Sequence, residues 1–198
     1  GRLGFLANIS KNHMEEALDQ ILSNNYQIQK RALLQVESSD GTFIKGEDFA
    51  LNDITVFRSD SSAMITVHAV LDNELLNSYW ADGLIIATPT GSTAYSLSCG
   101  GPIIMPGSGN FVITPISPHN LNVRPIVVNE NMQLRLEIES RTEKYILSCD
   151  SKSHTLSTKT SLLITKAPFS INLIRLANDQ YFGILREKLL WGIDVRNY

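Results

Sequence analysis

Groups able to grip a polar ligand are most concentrated in one run, Asp82-Gly83-Leu84-Ile85-Ile86-Ala87-Thr88-Pro89-Thr90-Gly91-Ser92-Thr93-Ala94-Tyr95-Ser96-Leu97-Ser98-Cys99-Gly100-Gly101-Pro102. It opens as a buried strand, turns through Pro, Gly and Thr, and closes as a short helical stretch ended by paired glycines. Such a bend aims backbone N–H groups and small hydroxyls at one point. Glycine permits close backbone approach, and a helix start favours anionic groups. No Gly-Lys-Ser/Thr follows, so this is not a Walker A phosphate loop. Gly-x-Ser-x-Gly is absent around Ser92, Ser96 and Ser98, so it is not a nucleophile elbow. A serine hydrolase would also need a paired histidine and an oxyanion hole, which the sequence does not advertise. Taken alone, the bend serves equally well as a packing device.

Other polar residues are ambiguous by themselves. Asn52-Asp53 and Asp82-Gly83 are ordinary turn chemistry, and Tyr95 fits a half-buried tyrosine. His13, His68, His119 and His154 fall on different elements and make no cluster. Cys99 and Cys149 are too few and too far apart for a disulfide framework or a zinc site. They read as buried thiols in a reducing compartment.

These groups must be carried by a folded scaffold, and the composition supports one. Hydrophobic residues make up 43% and charged residues 19% of 198, which excludes a disordered chain. The net charge of −3 leaves no overall basic footprint for nucleic acid. No apolar run nears the roughly 20 residues that span a bilayer, and no secretory pattern is seen, so neither nucleic acid nor membrane is expected as a partner. The expected location is the cytoplasm, and the sequon Asn8-Ile9-Ser10 is expected to be accidental.

Periodicity divides the chain into helix, sheet and helix. Met14, Ala17, Leu18, Ile21 and Leu22 form one helical stripe. From Tyr26 to Val36 the pattern alternates, as it does from Ala63 to Leu71 and from Met132 to Glu139. Asp72-Asn73 fits a tight hairpin turn. Gly83–Ala87 and Ile126–Val128 look like buried strands, while Lys144–Cys149, Ser161–Lys166 and Ile171–Leu176 suggest further short ones. Helical spacing returns over Tyr181–Trp191. The expected fold is mainly β, with layered, sandwich-like sheets and a helix near each end. Boundaries are expected to separate 1–25, 26–177 and 178–198.

Against this background the run Thr88-Pro89-Thr90-Gly91-Ser92-Thr93-Ala94-Tyr95-Ser96, followed by Gly100-Gly101-Pro102, resembles the signature of NAD kinases. Other segments match in the family's order. Gly1–Leu6 resembles the Gly-x-Leu-Gly-Phe-Leu segment that closes the amino-terminal domain, and Leu51-Asn52-Asp53 resembles the Asn-Glu or Asn-Asp motif. Pro115–Val127 resembles a family loop, and Leu185–Gly192 the bacterial form of the last helix. Together these cover nearly the whole chain.

The resemblance implies a carboxy-terminal dinucleotide-binding domain, with 1–25 as the tail of an amino-terminal α/β domain. NAD kinases transfer a phosphoryl group from ATP, or in some members polyphosphate, to the 2′-hydroxyl of the adenosine ribose of NAD, giving NADP. A divalent metal such as Mg accompanies ATP in the full-length enzyme, and none is expected on this chain. The family's catalytic aspartate lies in a Gly-Gly-Asp-Gly motif absent from these 198 residues; Asp40-Gly41-Thr42 lacks the preceding glycines. The implied expectation is that the chain by itself is inactive. Family positions place Asn52 and Thr90 at the adenine end, and Asp53 on sugar hydroxyls. Thr93, Ala94, Tyr95 and Ser98 would line the ribose and nicotinamide. Asp82 would meet the nicotinamide end across a subunit interface in a homo-dimer or homo-tetramer. Phe5 and Leu6 would wall the adenine pocket. Asp150 is a further NAD-binding candidate by resemblance, falling where relatives often have Asp-Gly, but Ser151 follows here.

Overall fold

The computed structural model describes Ile9 and residues 11–41, 46–61, 63–176 and 181–189. One compact unit runs from Arg31 to Ile171, and the two ends of the chain form another. Near the amino-terminal end, a 3-10 turn leads into α1 (Met14–Leu22). Near the carboxy-terminal end lies α3 (Tyr181–Leu189). Between them run twelve strands and one short helix among the described residues. The strands are β1 (Tyr26–Ser38), β2 (Phe49–Ala50), β3 (Asp53–Arg58), β4 (Ile65–Leu71), β5 (Glu74–Ala81) and β6 (Gly83–Ala87). After α2 (Tyr95–Ser98) come β7 (Asn110–Ile116), β8 (Ile126–Asn129), β9 (Leu134–Glu139), β10 (Lys144–Cys149), β11 (Lys152–Ser157) and β12 (Leu162–Leu176).

The strands form two six-stranded sheets, ordered β2-β1-β12-β9-β4-β5 and β11-β10-β3-β6-β7-β8. The layered, mainly β architecture with a helix near each end is therefore the one periodicity indicated. Alternation explains the layers. Ile65, Val67 and Ala69 on β4 and Leu134, Leu136 and Ile138 on β9 are buried, with half-buried or exposed residues between them. They join Ile54 and Val56 of β3, Leu84 and Ile86 of β6, Phe111 and Ile113 of β7, and Tyr145 and Leu147 of β10 in one core between the sheets. The Asp72-Asn73 hairpin has positive φ at both residues, 49° and 70°, the geometry of a two-residue turn matched to strand twist.

Two expectations change and one, the buried strand at Gly83–Ala87, holds. The two short strands expected over Ser161–Lys166 and Ile171–Leu176 are one fifteen-residue strand, β12, that runs through Pro168. Its ladder with β9 ends at Ile164, so the missing N–H of Pro168 breaks no bond to β9. The stretch Ile126–Val128 lies on an edge strand, where Ile126 and Val127 are exposed and Val128 alone is buried. Gly83–Ala87 is buried at every position because β6 is central and covered on both faces. Leu84 and Ile86 enter the main core. Ile85 and Ala87 pack with Ile104, Val112 and Ile116 in a smaller cluster.

Leu136 is fully buried in the main core. Leu136→Ala is expected to lower unfolding free energy by about 2–5 kcal/mol, read as a reduced urea midpoint.

Candidate functional site

The bend after β6 sorts its small polar residues into two sets. Thr88, Ser92 and Ser96 are completely buried. The Thr88 hydroxyl donates to the Leu51 carbonyl at 2.5 Å and accepts from the Gly91 N–H at 3.2 Å. The Ser92 hydroxyl donates to the Pro89 carbonyl at 2.7 Å, and the Ile104 N–H donates to it at 2.9 Å. Ser96 and Thr114 hydroxyls share a bond of 2.8 Å. These groups hold the bend's shape; they are not offered to a ligand. With both hydroxyls committed in the interior, Ser92 and Ser96 are also removed as nucleophiles. The second set remains accessible: Thr90 and Thr93 are half-buried, and Ala94, Tyr95 and Ser98 are exposed. Every residue of the bend that family resemblance points at a ligand belongs to this second set.

The segment Leu51-Asn52-Asp53 lies directly against the bend, because Asp53 pairs with Ala87 where β3 and β6 run antiparallel. The Thr88 N–H donates to the Asn52 carbonyl at 2.9 Å. At Gly91 the approach is so close that a Cβ would stand 2.0 Å from the Asn52 carbonyl oxygen. Only glycine fits there. From the other side the Asp150 carboxylate accepts the N–H groups of Leu51 at 2.8 Å, Asn52 at 2.8 Å and Asp53 at 3.1 Å.

Electrostatics link these elements. The Tyr95 hydroxyl is pushed above its ordinary range by burial, by the Cys99 thiol, and by the Asp82 and Asp53 carboxylates. The Cys99 thiol is also raised by burial, an effect opposed by its bond to Tyr95 and reinforced by Asp53. Burial likewise raises the Asp53 carboxyl; the Thr55 hydroxyl, donating at 2.9 Å, opposes this, and Asp150 adds to it. Tyr95 and Cys99 therefore stay protonated at neutral pH and present donors beside a carboxylate acceptor. A ligand rich in sugar hydroxyls and amides suits such a surface.

The structure thus gathers Asn52, Asp53, Thr90, Thr93, Ala94, Tyr95 and Ser98 around the bend. Asp82 precedes the opposite end of β6, where its carboxylate pairs with Arg58 at 3.1 Å while still acting electrostatically on Tyr95. Phe5 and Leu6 lie outside the described residues. Thr88, Ser92, Thr55 and Arg58 are supporting residues that the sequence did not single out in those roles. Alternation on β3 could have flagged Thr55, but nothing local signals a partner so distant in sequence. Beyond Asp82, β5 and the loop after β7 enclose a hollow of about 520 Å³ lined by Tyr79, Trp80, Pro118, His119 and Leu121. There the Trp80 and His119 rings lie 4.1 Å apart.

Among the described residues no three His, Cys, Asp or Glu side chains converge to hold a metal. The site's carboxylates are already engaged: Asp150 by three amides, Asp82 by Arg58 and Asp53 by Thr55. This donor set does not fit a metal centre, and no step is assigned to one here.

Comparison with known proteins bears on the fold. The family model described as the ATP-NAD kinase C-terminal domain matches residues 51–176. The NAD kinase of Cytophaga hutchinsonii is 48% identical over 198 residues, covering 100% of this chain and 67% of its own. That of Flavobacterium psychrophilum is 49% identical with the same coverage. Among solved structures, yeast NADH kinase complexed with NADH superimposes with a TM-score of 0.85 at 27% identity, over 98% of this chain and 58% of that one. An NAD kinase from Archaeoglobus fulgidus in complex with ATP gives 0.80 at 27% identity, over 96% of this chain and 71% of that one. The two-sheet fold is that of a kinase carboxy-terminal domain. The chain belongs to the NAD kinase family, and it spans about two thirds of the length of the curated relatives above.

Two outcomes follow from the site's packing. Gly91→Ala must displace the Asn52 carbonyl, so amide exchange at Thr88 is expected to accelerate by about tenfold or more through loss of that bond. Asp53 carries a raised carboxyl, so its ionisation disfavours the folded state. That penalty is absent below the ordinary aspartate range, grows as pH rises toward the folded value, and is complete above it. Asp53→Asn is therefore expected to melt higher than the native chain at pH 7. The difference should close as the pH falls below about 4, checked by melting temperature against pH.

Proposed function

We propose that the surface formed by Leu51–Asp53 and the Thr90–Ser98 side of the bend holds NAD or NADP for phosphoryl transfer to the 2′-hydroxyl of the adenosine ribose. The observation that carries this is the division of the bend, with buried hydroxyls spent on its shape and accessible ones left beside Asn52 and Asp53. The Asn52 side-chain amide can both donate to and accept from an adenine edge, with Thr90 beside it. Asp53 accepts from sugar hydroxyls, while Tyr95, Thr93, Ala94 and Ser98 line the ribose and nicotinamide. Asp82 serves the nicotinamide end in a homo-dimer or homo-tetramer, held by Arg58 until a ligand arrives.

In such a reaction these residues position the acceptor and exclude alternative poses, which is where most of the rate enhancement of phosphoryl transfer originates. ATP or polyphosphate would be the donor; a divalent metal such as Mg would accompany ATP in the full-length enzyme and supply charge neutralisation, and none of the residues named here would hold it. The base is the aspartate of a Gly-Gly-Asp-Gly motif that these 198 residues do not contain. The enzyme works in the cytoplasm.

Calorimetry on the 198-residue chain is expected to show NAD and NADP binding, weakened at least about tenfold by Asn52→Ala or Tyr95→Ala. The same chain supplied with ATP, Mg and NAD should form no NADP. Absence of any dinucleotide binding, with a normal melting curve, would overturn the proposal in favour of a non-catalytic β-sandwich module. NADP formation would overturn the assignment of the base.

A further inference from the structure

We infer that Asp150 is a positioning residue for the dinucleotide, acting through the main chain of Leu51-Asn52-Asp53 rather than by touching the ligand. The inference rests on the dinucleotide reading above and changes the role that family resemblance gives this aspartate. Three consecutive N–H groups converge on one carboxylate: Leu51 on Oδ2, and Asn52 and Asp53 together on Oδ1. Consecutive amides of an extended chain point in alternating directions, so this convergence bends the backbone into a nest that needs an anion to satisfy it. Asp150 supplies that anion from the turn between β10 and β11. There its own backbone is left-handed, with φ 52°, and its N–H donates to the Asp53 carbonyl at 3.0 Å. The Ser148 hydroxyl donates to the Asp150 carbonyl at 3.1 Å and braces the turn.

The opposite side of the same segment is held by Thr88, whose hydroxyl and N–H donate to the Leu51 and Asn52 carbonyls. The β10–β11 hairpin and the bend after β6 therefore fix these peptide groups from both sides, leaving the Asn52 side chain to a ligand and, among the described residues, Asp53 sharing only the Thr55 hydroxyl. Holding them before the ligand arrives removes an ordering cost from binding. The charge acts further, since Asp150 is one of the groups that raise the Asp53 carboxyl. One aspartate thus fixes the backbone of its neighbour and adds to the rise that burial gives its carboxyl.

The test uses the 198-residue chain with NAD as probe. Asp150→Gly keeps the left-handed turn but removes the carboxylate, whereas Asp150→Asn keeps one oxygen able to serve Asn52 and Asp53. Calorimetry is expected to show NAD affinity falling at least about tenfold for Asp150→Gly and less for Asp150→Asn. Amide exchange at Leu51, Asn52 and Asp53 should quicken in the same order. In an Asn52→Ala, Asp53→Ala background, Asp150→Gly should cost little further affinity, because its effect passes through those side chains. An undiminished further loss in that background would show direct contact with the ligand, and unchanged affinity in the single variants would show no role; either overturns the inference alone. No NAD binding by the native chain would overturn the dinucleotide reading and this inference with it.

Discussion

The site depends on how closely two peptide segments approach at the end of β6. Where the Asn52 carbonyl meets Thr88 and Gly91, a side chain as small as a methyl group has no room. That contact brings together residues almost forty positions apart and turns two ordinary hairpin ends into one surface. It exists because β3 and β6 are antiparallel neighbours in the middle of a sheet, with Asp53 opposite Ala87. The hydrophobic core behind them holds that pairing in place. Burial of apolar strands thus sets the position of polar atoms to within a hydrogen-bond length.

The bend shows how polar groups are divided between architecture and recognition. A buried hydroxyl without a partner is costly, so Thr88, Ser92 and Ser96 each find one in the main chain or in Thr114. Those bonds make the turn rigid enough that Thr90, Thr93, Tyr95 and Ser98 need not rearrange around a ligand. Acidity follows the same division. Asp82 is engaged by Arg58 and Asp150 by amides, leaving Asp53 as the site carboxylate that shares only a single threonine hydroxyl. Its raised carboxyl and the raised Tyr95 hydroxyl and Cys99 thiol all follow first from partial burial in that setting.

Much of this was legible in the order of residues. Period-two alternation from Ile65 to Leu71 and from Leu134 to Glu139 defined strands and their inner faces, because those strands have one wet side. Asp72-Asn73 announced its turn through residue types that accept positive φ. Alternation failed where water is absent or pairing incomplete. Two short strands were expected where β12 runs unbroken through Pro168, since the sequence cannot show which N–H groups need partners. The apolar Ile126 and Val127 looked interior, although an edge strand leaves them open. At the site, the bend residues that family resemblance points to all fall on its accessible side. The Asp82–Arg58 pair and the Asp150 clamp stayed hidden because each joins residues brought together only by sheet order.

The enclosure of β6 carries an evolutionary cost. Most strands have alternate positions where drift toward any soluble residue is harmless, giving a lineage half of each strand on which to vary. From Gly83 to Ala87 no such position exists: each side chain must suit either the inter-sheet core or the small cluster around Ile104. A Cβ at Gly83 would stand 2.3 Å from the Val56 carbonyl oxygen. This strand should therefore change more slowly than the alternating strands β4 and β9, even if selection for the chemistry at its far end were relaxed.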